Sequence, residues 1–272
     1  MPMFALRVTF LFFVSSLIVI SSGHNLNVSA ASTEAKAAII IDDFGGIGKG
    51  SNEFLTHNIP VTVAVMPFLE NSRLVAEKAH EAGFEVMIHM PMEPKQGKKS
   101  WLGPNPILDS LTDEEIRSRV REAIDDVPYA SGINQHMGSK IVENEQIMTI
   151  ILEVAKEHNL YVIDSGTNPN SCIPKLCEQT NMLYGERDLF LDNTQSSRHH
   201  TYKMAIKLAE LAEQNGQAIG IGHVGIKGLD TFHALQEAKS YFAEKNVDIV
   251  PVSHLLKSPI DKDPWHFWEE GL

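Results

Sequence analysis

Residues 37–45 read Ala-Ala-Ile-Ile-Ile-Asp-Asp-Phe-Gly, and this stretch decides the fold. A short, continuous apolar run is typical of a strand that is buried on both faces of a parallel sheet. Two carboxylates, Asp42 and Asp43, end the run where a glycine-rich turn begins. Active sites of α/β barrels lie at the carboxyl ends of such strands. The stretch therefore predicts the first strand of a parallel sheet with a polar site at its end.

Apolar runs and amphipathic stretches alternate through the rest of the chain. This alternation produces right-handed βαβ units, and hence either a (β/α) barrel or an open doubly wound sheet. The predicted strands are 37–43, 61–67, 85–91, 132–136, 161–166, 189–193, 217–223 and 248–252. The predicted helices are 71–82, 112–127, 143–158, 196–215 and 231–245.

Length and charge narrow the class of protein. The chain has 272 residues, of which 43% are hydrophobic, and a formal net charge of -12 with the acidic residues scattered. Nucleic-acid binding needs clustered Lys and Arg, so this class is disfavoured. An acidic membrane surface gains no support either, and a neutral or partly basic substrate fits the charge better.

The amino terminus has the pattern of an export signal. A weakly positive lead at 1–7 precedes an apolar run at 8–20, and Val-Ser-Ala at 28–30 fits a small-x-small cleavage site. The apolar run is shorter than the roughly 20 residues of a membrane span. We therefore expect a signal peptide at 1–30 and one exported domain at 31–272, with no stable membrane span after cleavage.

Two cysteines, Cys172 and Cys177, are five residues apart. An oxidising compartment would allow a disulfide. However, the local pattern favours a helix, on which side chains at this spacing lie on different faces. We therefore expect free or packed thiols.

Polar side chains recur at the ends of six predicted strands. The carboxyl ends of barrel strands converge on one face, so these side chains should form one site. Turn chemistry explains one polar strand end, but it does not explain six with three histidines among them. The residues are Asp42 and Asp43, His89, Asn134 and His136, Asp164 and Ser165, Asp192 and Asn193, and His223.

Three of these residues predict a metal site. Asp43, His89 and His136 offer one carboxylate and two imidazoles, which are ordinary zinc ligands, and three protein ligands leave a position for water. Glu93 follows His89 by four residues, but Pro91 prevents the helix that would bring the two side chains together. Glu93 therefore stays open as a ligand, as an outer group near the site or as a solvated charge.

Two further residues are suited to proton transfer. If a metal neutralises one of the paired carboxylates, Asp42 is free to act as a base. His223 lies in a glycine-rich turn, where an imidazole can act as an acid. The glycines at 220–225 also match GxGxxG, but the next helix is predicted to start only near Thr231, so a nicotinamide enzyme is the weaker alternative.

Asp164, Ser165 and Asp192 have two possible roles. They could orient His223 or a substrate, because a carboxylate fixes the tautomer of an imidazole. They could equally cap helices, since Asp192 and Asn193 precede the helix that is predicted to begin near Ser196.

Several of these motifs resemble those of polysaccharide deacetylases, the NodB-homology superfamily, and in particular its divergent branch of exported bacterial proteins. Residues 41–45 look like the first motif, in which the first Asp is the base and the second binds metal. Residues 83–89 are similar to the second motif, whose second metal-binding His falls here on Glu93. Asn-Gln-His at 134–136 takes the place of the Arg-Pro motif, and His223 matches the closing Leu-His motif, which provides the general acid.

This resemblance covers residues 37–256 and implies both a fold and an activity. The fold would be a deformed, NodB-like (β/α) barrel of about seven parallel strands. The activity would be zinc-dependent removal of N-acetyl groups from an acetylated amino-sugar polymer or oligosaccharide, with Asp42 as base and His223 as acid. His136 could replace the missing metal-binding histidine. A non-catalytic carbohydrate-binding relative and a metallo-esterase for another acyl substrate stay open as alternatives.

Overall fold

A parallel sheet forms the centre of the computed structural model, which describes residues 34–57 and 59–258. The expected signal peptide lies outside these residues. The strands are β1 (Ala35–Phe44), β2 (Thr62–Val65), β3 (Glu85–Met92), β4 (Ala130–Met137), β5 (Tyr161–Asp164), β6 (Tyr184–Glu186), β7 (Leu189–Phe190), β8 (Gln217–His223) and β9 (Val247–Ile249).

The sheet curls into a deformed barrel, which confirms the predicted fold class. Its strand order is β6-β5-β4-β3-β2-β1-β8-β7, and β9 pairs with the start of β1. Although β6 and β7 lie at opposite ends of this order, only Arg187 and Asp188 connect them. The Arg187 amide donates to Asp164 O on β5 (3.0 Å), and the Asp188 amide donates to Ile219 O on β8 (2.9 Å). These two residues therefore bring the two edges of the sheet together.

Helices cover the outside of the sheet. The helix Ser51–Thr56, like β6, lies outside the predicted elements, because a segment of 6 residues is too short to show helical periodicity. The helix Ile173–Thr180 agrees with the helix that the pattern around the two cysteines favours. The predicted capping box of Thr112 and Glu115 is confirmed. The helices are α1 (Ser51–Thr56), α2 (Ser72–Glu81), α3 (Asp113–Asp126), α4 (Glu145–Glu157), α5 (Ile173–Thr180), α6 (Arg198–Asn215) and α7 (Gly228–Glu244).

Strand alternation divides the core into two parts. Ile39 and Ile41 of β1 pack toward the helices, whereas Ala38 and Ile40 join the apolar cluster that includes Met87 and Ile221. Successive side chains point to opposite faces of a strand, so the position after Ile41 faces the second cluster again. That position is Asp42, and the sheet thereby buries a carboxylate at the carboxyl end of β1.

The amino-terminal end of the strands is closed by a short 3₁₀ helix, Val252–Leu255. The Val252 amide donates to Thr62 Oγ1 at the start of β2 (3.1 Å), and the Ser253 amide donates to Glu85 Oε2 at the start of β3 (3.2 Å). These bonds hold the 3₁₀ helix over the amino-terminal end of the strands.

The differences from the predicted elements lie mostly in the loops after the strands. The predicted strands 161–166 and 189–193 end at Asp164 and Phe190, because the following residues turn into the loops of the polar end. Helix α7 begins at Gly228, earlier than predicted. Both cysteines are free and buried, as expected. Among the described residues, no helix has the length and apolar character needed to cross a membrane.

We expect Gly228→Ala to destabilise the fold. A Cβ at this position would lie 1.9 Å from the carbonyl oxygen of Lys49, and this backbone atom cannot move aside as a flexible side chain would. The expected loss is about 1–3 kcal/mol in the free energy of unfolding, measured by urea denaturation.

Gly46→Ala is the matched control, in the loop to which Lys49 belongs. The added methyl would meet only Leu69 Cδ1, at 3.6 Å. The expected change is within about 0.5 kcal/mol. Equal stabilities of the two variants would contradict the close approach of Gly228 to the backbone of Lys49.

Candidate functional site

A cleft of about 520 Å³ opens at the carboxyl ends of the strands. It collects most of the polar strand ends that the sequence singles out, together with an apolar wall formed by Met137, Phe190, Val224 and Ile226. The polar residues that line it include Asp42, Asp43, His89, Gln135, His136, Ser165, Asp192, Asn193 and His223. Six separate strands or their loops therefore contribute to one site.

Asp42 and Asp43 both reach this cleft because β1 is irregular at its end. The pairing of β1 with β2 shifts register between Ile41 and Phe44, and Asp43 has a φ of 70°. This left-handed conformation is strained for a residue with a Cβ, and strain of this kind is concentrated at functional sites. Asp42 points inward by ordinary alternation, and the turn at Asp43 sends the second carboxylate to the same side.

Three ligand atoms converge beside Asp43. Asp43 Oδ1 lies 3.3 Å from His89 Nε2 and 3.1 Å from His136 Nδ1. The two imidazole nitrogens are themselves 3.1 Å apart. The three atoms come from β1, β3 and β4, and all lie within 4.8 Å of one another. This is the group that the sequence predicts as a metal site.

The outer nitrogen of each histidine faces an oxygen atom. His89 Nδ1 lies 2.8 Å from Asn134 Oδ1, and His136 Nε2 lies 2.9 Å from the carbonyl oxygen of Trp101. Carbonyl oxygens only accept hydrogen bonds, so these partners assign the proton of each neutral ring to its outer nitrogen. The inner nitrogens then present lone pairs to each other and to Asp43 Oδ1.

Three electron pairs without a proton between them fit a divalent cation. Among the described residues, Asp43 Oδ1 is buried and has no hydrogen-bond donor. A carboxylate and two neutral imidazoles, each held by an outer partner, are the donor set and the outer arrangement of protein zinc sites. The residues therefore fit a metal ion.

The pKa values of the two carboxylates shift in opposite directions, because burial and neighbouring charges balance differently at each. Burial raises the pKa of Asp43, but a proton on the inner nitrogen of His136 or His89 would bond to the carboxylate and add a favourable charge, and these contacts hold that pKa well below its ordinary value. For Asp42, burial prevails over the charges of His89 and His223, and the pKa is raised. Neighbouring groups whose pKa values are pushed apart are typical of acid and base roles. Asp43 is suited to bind a cation and Asp42 to exchange a proton.

On the other side of the cleft, Asp192 orients His223. His223 Nδ1 donates to Asp192 Oδ1 (2.7 Å), while Asp192 Oδ2 accepts from the His223 amide (3.1 Å) and from the Thr231 hydroxyl. Burial lowers the pKa of His223, but the bond to Asp192 and the nearby carboxylate charges raise it to about 9. Because Nδ1 is held by Asp192, Nε2 is the nitrogen left to act on a substrate.

Glu93 lies outside the three-residue group. Its carboxylate accepts from the Asp109 amide (2.8 Å) and from Lys140 Nζ (2.9 Å), and these contacts hold the loop that follows β3. Its pKa is lowered by the bond from the Asp109 amide and by Lys140. Of the two residues that the sequence offers to complete the ligands, the structure brings only His136 to Asp43.

Asn134, Asp164 and Ser165 form a buried network at the edge of the cleft. Asn134 Nδ2 donates to Asp42 Oδ1 (3.0 Å) and contacts Ser165 Oγ (3.3 Å). Asp164 Oδ1 accepts from Gln135 Nε2 (2.8 Å) and from the Gly166 amide (2.9 Å), so it does not reach His223. Within the described part of the chain, Asp164 therefore contacts neither His223 nor a helix terminus, whereas Ser165 also lines the cleft and its substrate role stays a prediction.

Three contributions had not been recognised in the sequence. Gln135 lies between two candidates in the same strand, but its neutral amide carries no signal of its own. Thr231 is predicted only as a helix start, and its hydroxyl is near Asp192 because α7 begins earlier. The carbonyl of Trp101 has no sequence signal at all, since every residue carries one.

Comparison with known proteins gives consistent matches over the described domain. A family model described as divergent polysaccharide deacetylase matches residues 39–256. The uncharacterized protein YibQ of Escherichia coli (strain K12) is 34% identical over 234 residues, which cover 86% of this chain and 71% of that protein. An uncharacterized protein of Haemophilus influenzae is 30% identical over 212 residues, which cover 77% of this chain and 73% of that protein.

A solved structure has a similar fold. The crystal structure of an uncharacterized protein from Agrobacterium tumefaciens C58 aligns with a TM-score of 0.75 at 18% identity. The alignment covers 83% of this chain and 91% of that chain. At this identity the likeness concerns the fold alone.

We expect His136→Ala to weaken the binding of a divalent metal by at least about 100-fold, since removing even an outer partner costs about 10–100-fold. Titration with Zn²⁺, followed by calorimetry, measures the affinity. Glu93→Ala is the control and should retain affinity within a few-fold, because its carboxylate binds Asp109 and Lys140 instead. The reverse pattern would assign the third ligand to Glu93.

Proposed function

This chain belongs to the divergent polysaccharide deacetylase family, and on that premise we propose that it is a metal-dependent hydrolase of N-acetyl groups. Its substrate would be an acetylated amino-sugar polymer or oligosaccharide. The observation that carries the proposal is the convergence of three inward lone pairs, a buried carboxylate and an oriented histidine in one cleft.

The metal would be held by Asp43 Oδ1, His89 Nε2 and His136 Nδ1. Zinc suits this donor set best, because two imidazoles and one carboxylate with an open position are a common catalytic zinc arrangement. When bound, a metal ion supplies a Lewis acid that polarises the acetyl carbonyl and makes water a stronger nucleophile.

Asp42 is the proposed general base. Its carboxylate is 1% exposed, lines the cleft and lies next to the metal ligand Asp43 in the chain. Burial raises its pKa, so that the carboxylate binds a proton more readily than an exposed one does. Asn134 donates to Oδ1 of Asp42, which holds the carboxylate in place while it takes the proton of water.

His223 is the proposed general acid. Asp192 keeps its Nδ1 occupied and stabilises the protonated ring, so Nε2 can deliver a proton to the nitrogen of the departing amine. Since the pKa of His223 is raised to about 9, the ring is protonated at neutral pH and ready to donate.

Substrate and location follow from the family and from the amino terminus. The cleft combines an apolar wall with few charges besides the proposed machinery, which suits a neutral acetylated sugar. The leader pattern at 1–30 supports export, and we place the activity outside the cytoplasm, where cell-envelope polymers carry acetylated amino sugars. Acetate release from N-acetylated oligosaccharides, compared with acetate esters, tests the substrate class and separates an amidase from an esterase.

We expect Asp42→Asn to retain bound zinc and to lose turnover by about 100-fold or more, because general-base catalysis contributes about 10²–10⁴-fold. Elemental analysis gives the zinc content, and acetate release gives kcat. Asp43→Ala is the comparison variant and should lose the metal itself. Full activity of the Asp42→Asn variant would overturn the assignment of the base.

We expect Asp192→Asn to shift the basic limb of the kcat profile to lower pH. The acid form of His223 is active, so activity falls as pH rises through its pKa of about 9. Removing the Asp192 charge withdraws stabilisation from the protonated ring and should lower that pKa by about 1–3 units. The measurement is kcat from pH 5 to 10.

Asp230→Asn is the control for this shift. It removes a carboxylate from the start of α7, where Asp230 pairs with Lys227 rather than with His223. Its pH profile should match that of the unsubstituted protein. An equal shift in both variants would mean that net charge, and not the Asp192 contact, sets the limb.

A further inference from the structure

Asn134 connects the two halves of the site. This residue of β4 is 2% exposed, and both atoms of its amide face site residues. Oδ1 lies 2.8 Å from His89 Nδ1, whereas Nδ2 lies 3.0 Å from Asp42 Oδ1. One side chain therefore contacts a metal ligand and the proposed base at the same time.

The orientation of the amide follows from its neighbours. A carboxylate only accepts hydrogen bonds, so the NH₂ group must face Asp42. The amide oxygen then faces His89, and since it only accepts, His89 Nδ1 must carry the proton. The lone pair of His89 Nε2 is thereby directed toward Asp43 and His136.

Asp42 competes for the same proton. Its Oδ1 lies 3.5 Å from His89 Nδ1, just beyond the bond that Asn134 makes. Without the amide, the Nδ1–H group of His89 could donate directly to the Asp42 carboxylate, and a base bonded to a metal ligand would be less free to accept a proton from water.

We propose that Asn134 is a positioning residue that separates the base from the metal ligand. Its oxygen accepts the hydrogen bond from His89 Nδ1 that Asp42 would otherwise accept, and its nitrogen supplies Asp42 with a neutral donor instead. This inference rests on the proposed metal-dependent reaction, but metal affinity tests half of it without any turnover.

The sheet holds this arrangement rigidly. Asn134 and His89 are direct neighbours in the register of β4 with β3. Behind the amide, Ser165 Oγ contacts both Asn134 Nδ2 and the carbonyl oxygen of Gln135, each at 3.3 Å. Side chains on paired strands with locked partners keep catalytic geometry better than side chains on loops.

Two substitutions separate the two roles. Asn134→Asp keeps an oxygen for His89 and replaces the neutral donor to Asp42 with a second carboxyl group, whose charge or shared proton disturbs the base. We expect its zinc affinity to stay within a few-fold of the unsubstituted protein, while turnover falls by about 100-fold. Asn134→Leu removes both bonds, and zinc affinity should then fall by about 10–100-fold together with turnover.

Asn144→Asp is the matched control. Asn144 caps α4 outside the cleft, and a carboxylate keeps the capping bonds to the amides of Gln146 and Ile147. Zinc affinity and turnover should both be unchanged. The visible spectrum of the Co²⁺-loaded proteins adds a readout of ligand geometry, which should be preserved in Asn134→Asp and altered in Asn134→Leu.

The outcomes distinguish this inference from the proposed function. An unsubstituted protein that binds zinc but hydrolyses no acyl substrate defeats the proposed function, while the Asn134→Leu affinity loss still supports the metal half of the inference. Unchanged zinc affinity in Asn134→Leu, or full turnover in Asn134→Asp, overturns the inference. If the variants fail to fold, nitrogen-15 NMR of the unsubstituted, zinc-loaded protein provides the test. The proton of His89 is expected on Nδ1, and a metal bound at Nδ1 overturns the assignment.

Discussion

The parallel register of the sheet is the constraint on which the site depends. Asp42 is the partner of His223 across β1 and β8, and His89 is the partner of Asn134 across β3 and β4. A shift of one residue in either pair would send these side chains to the opposite face. Backbone hydrogen bonds far from any substrate therefore set the distances between the proposed base, acid and ligands, before side-chain contacts refine them.

Local strain at the strand ends complements this register. Asp43 has a φ of 70° and Met137, directly after His136, has a φ of 58°. A left-handed residue with a Cβ costs about 1–2 kcal/mol, and surrounding bonds such as the one from the Met66 amide to Phe44 O hold the chain in place. The protein thus departs from regular strand geometry where two of the three proposed ligand residues leave the sheet.

The sequence predicts the barrel well because buried strands are short apolar runs and the polar residues that end them are evident from the residue types. Helix α1 and β6 carry too few residues to show a period. The choice between Glu93 and His136 depends on which neighbouring strand lies beside Asp43, and spacing along the chain does not encode that distance. The bulge at Asp43 is equally invisible, since Asp-Asp-Phe-Gly reads as an ordinary turn.

The bond between His136 Nε2 and the carbonyl oxygen of Trp101 has an evolutionary consequence. Every amino acid offers the same carbonyl, so this support is independent of the side chain at position 101. Selection would act on the length and path of the segment between β3 and α3 rather than on its amino-acid identities. Relatives could differ at most positions of this segment and keep the contact, whereas a single deletion could remove it with every ligand residue still in place.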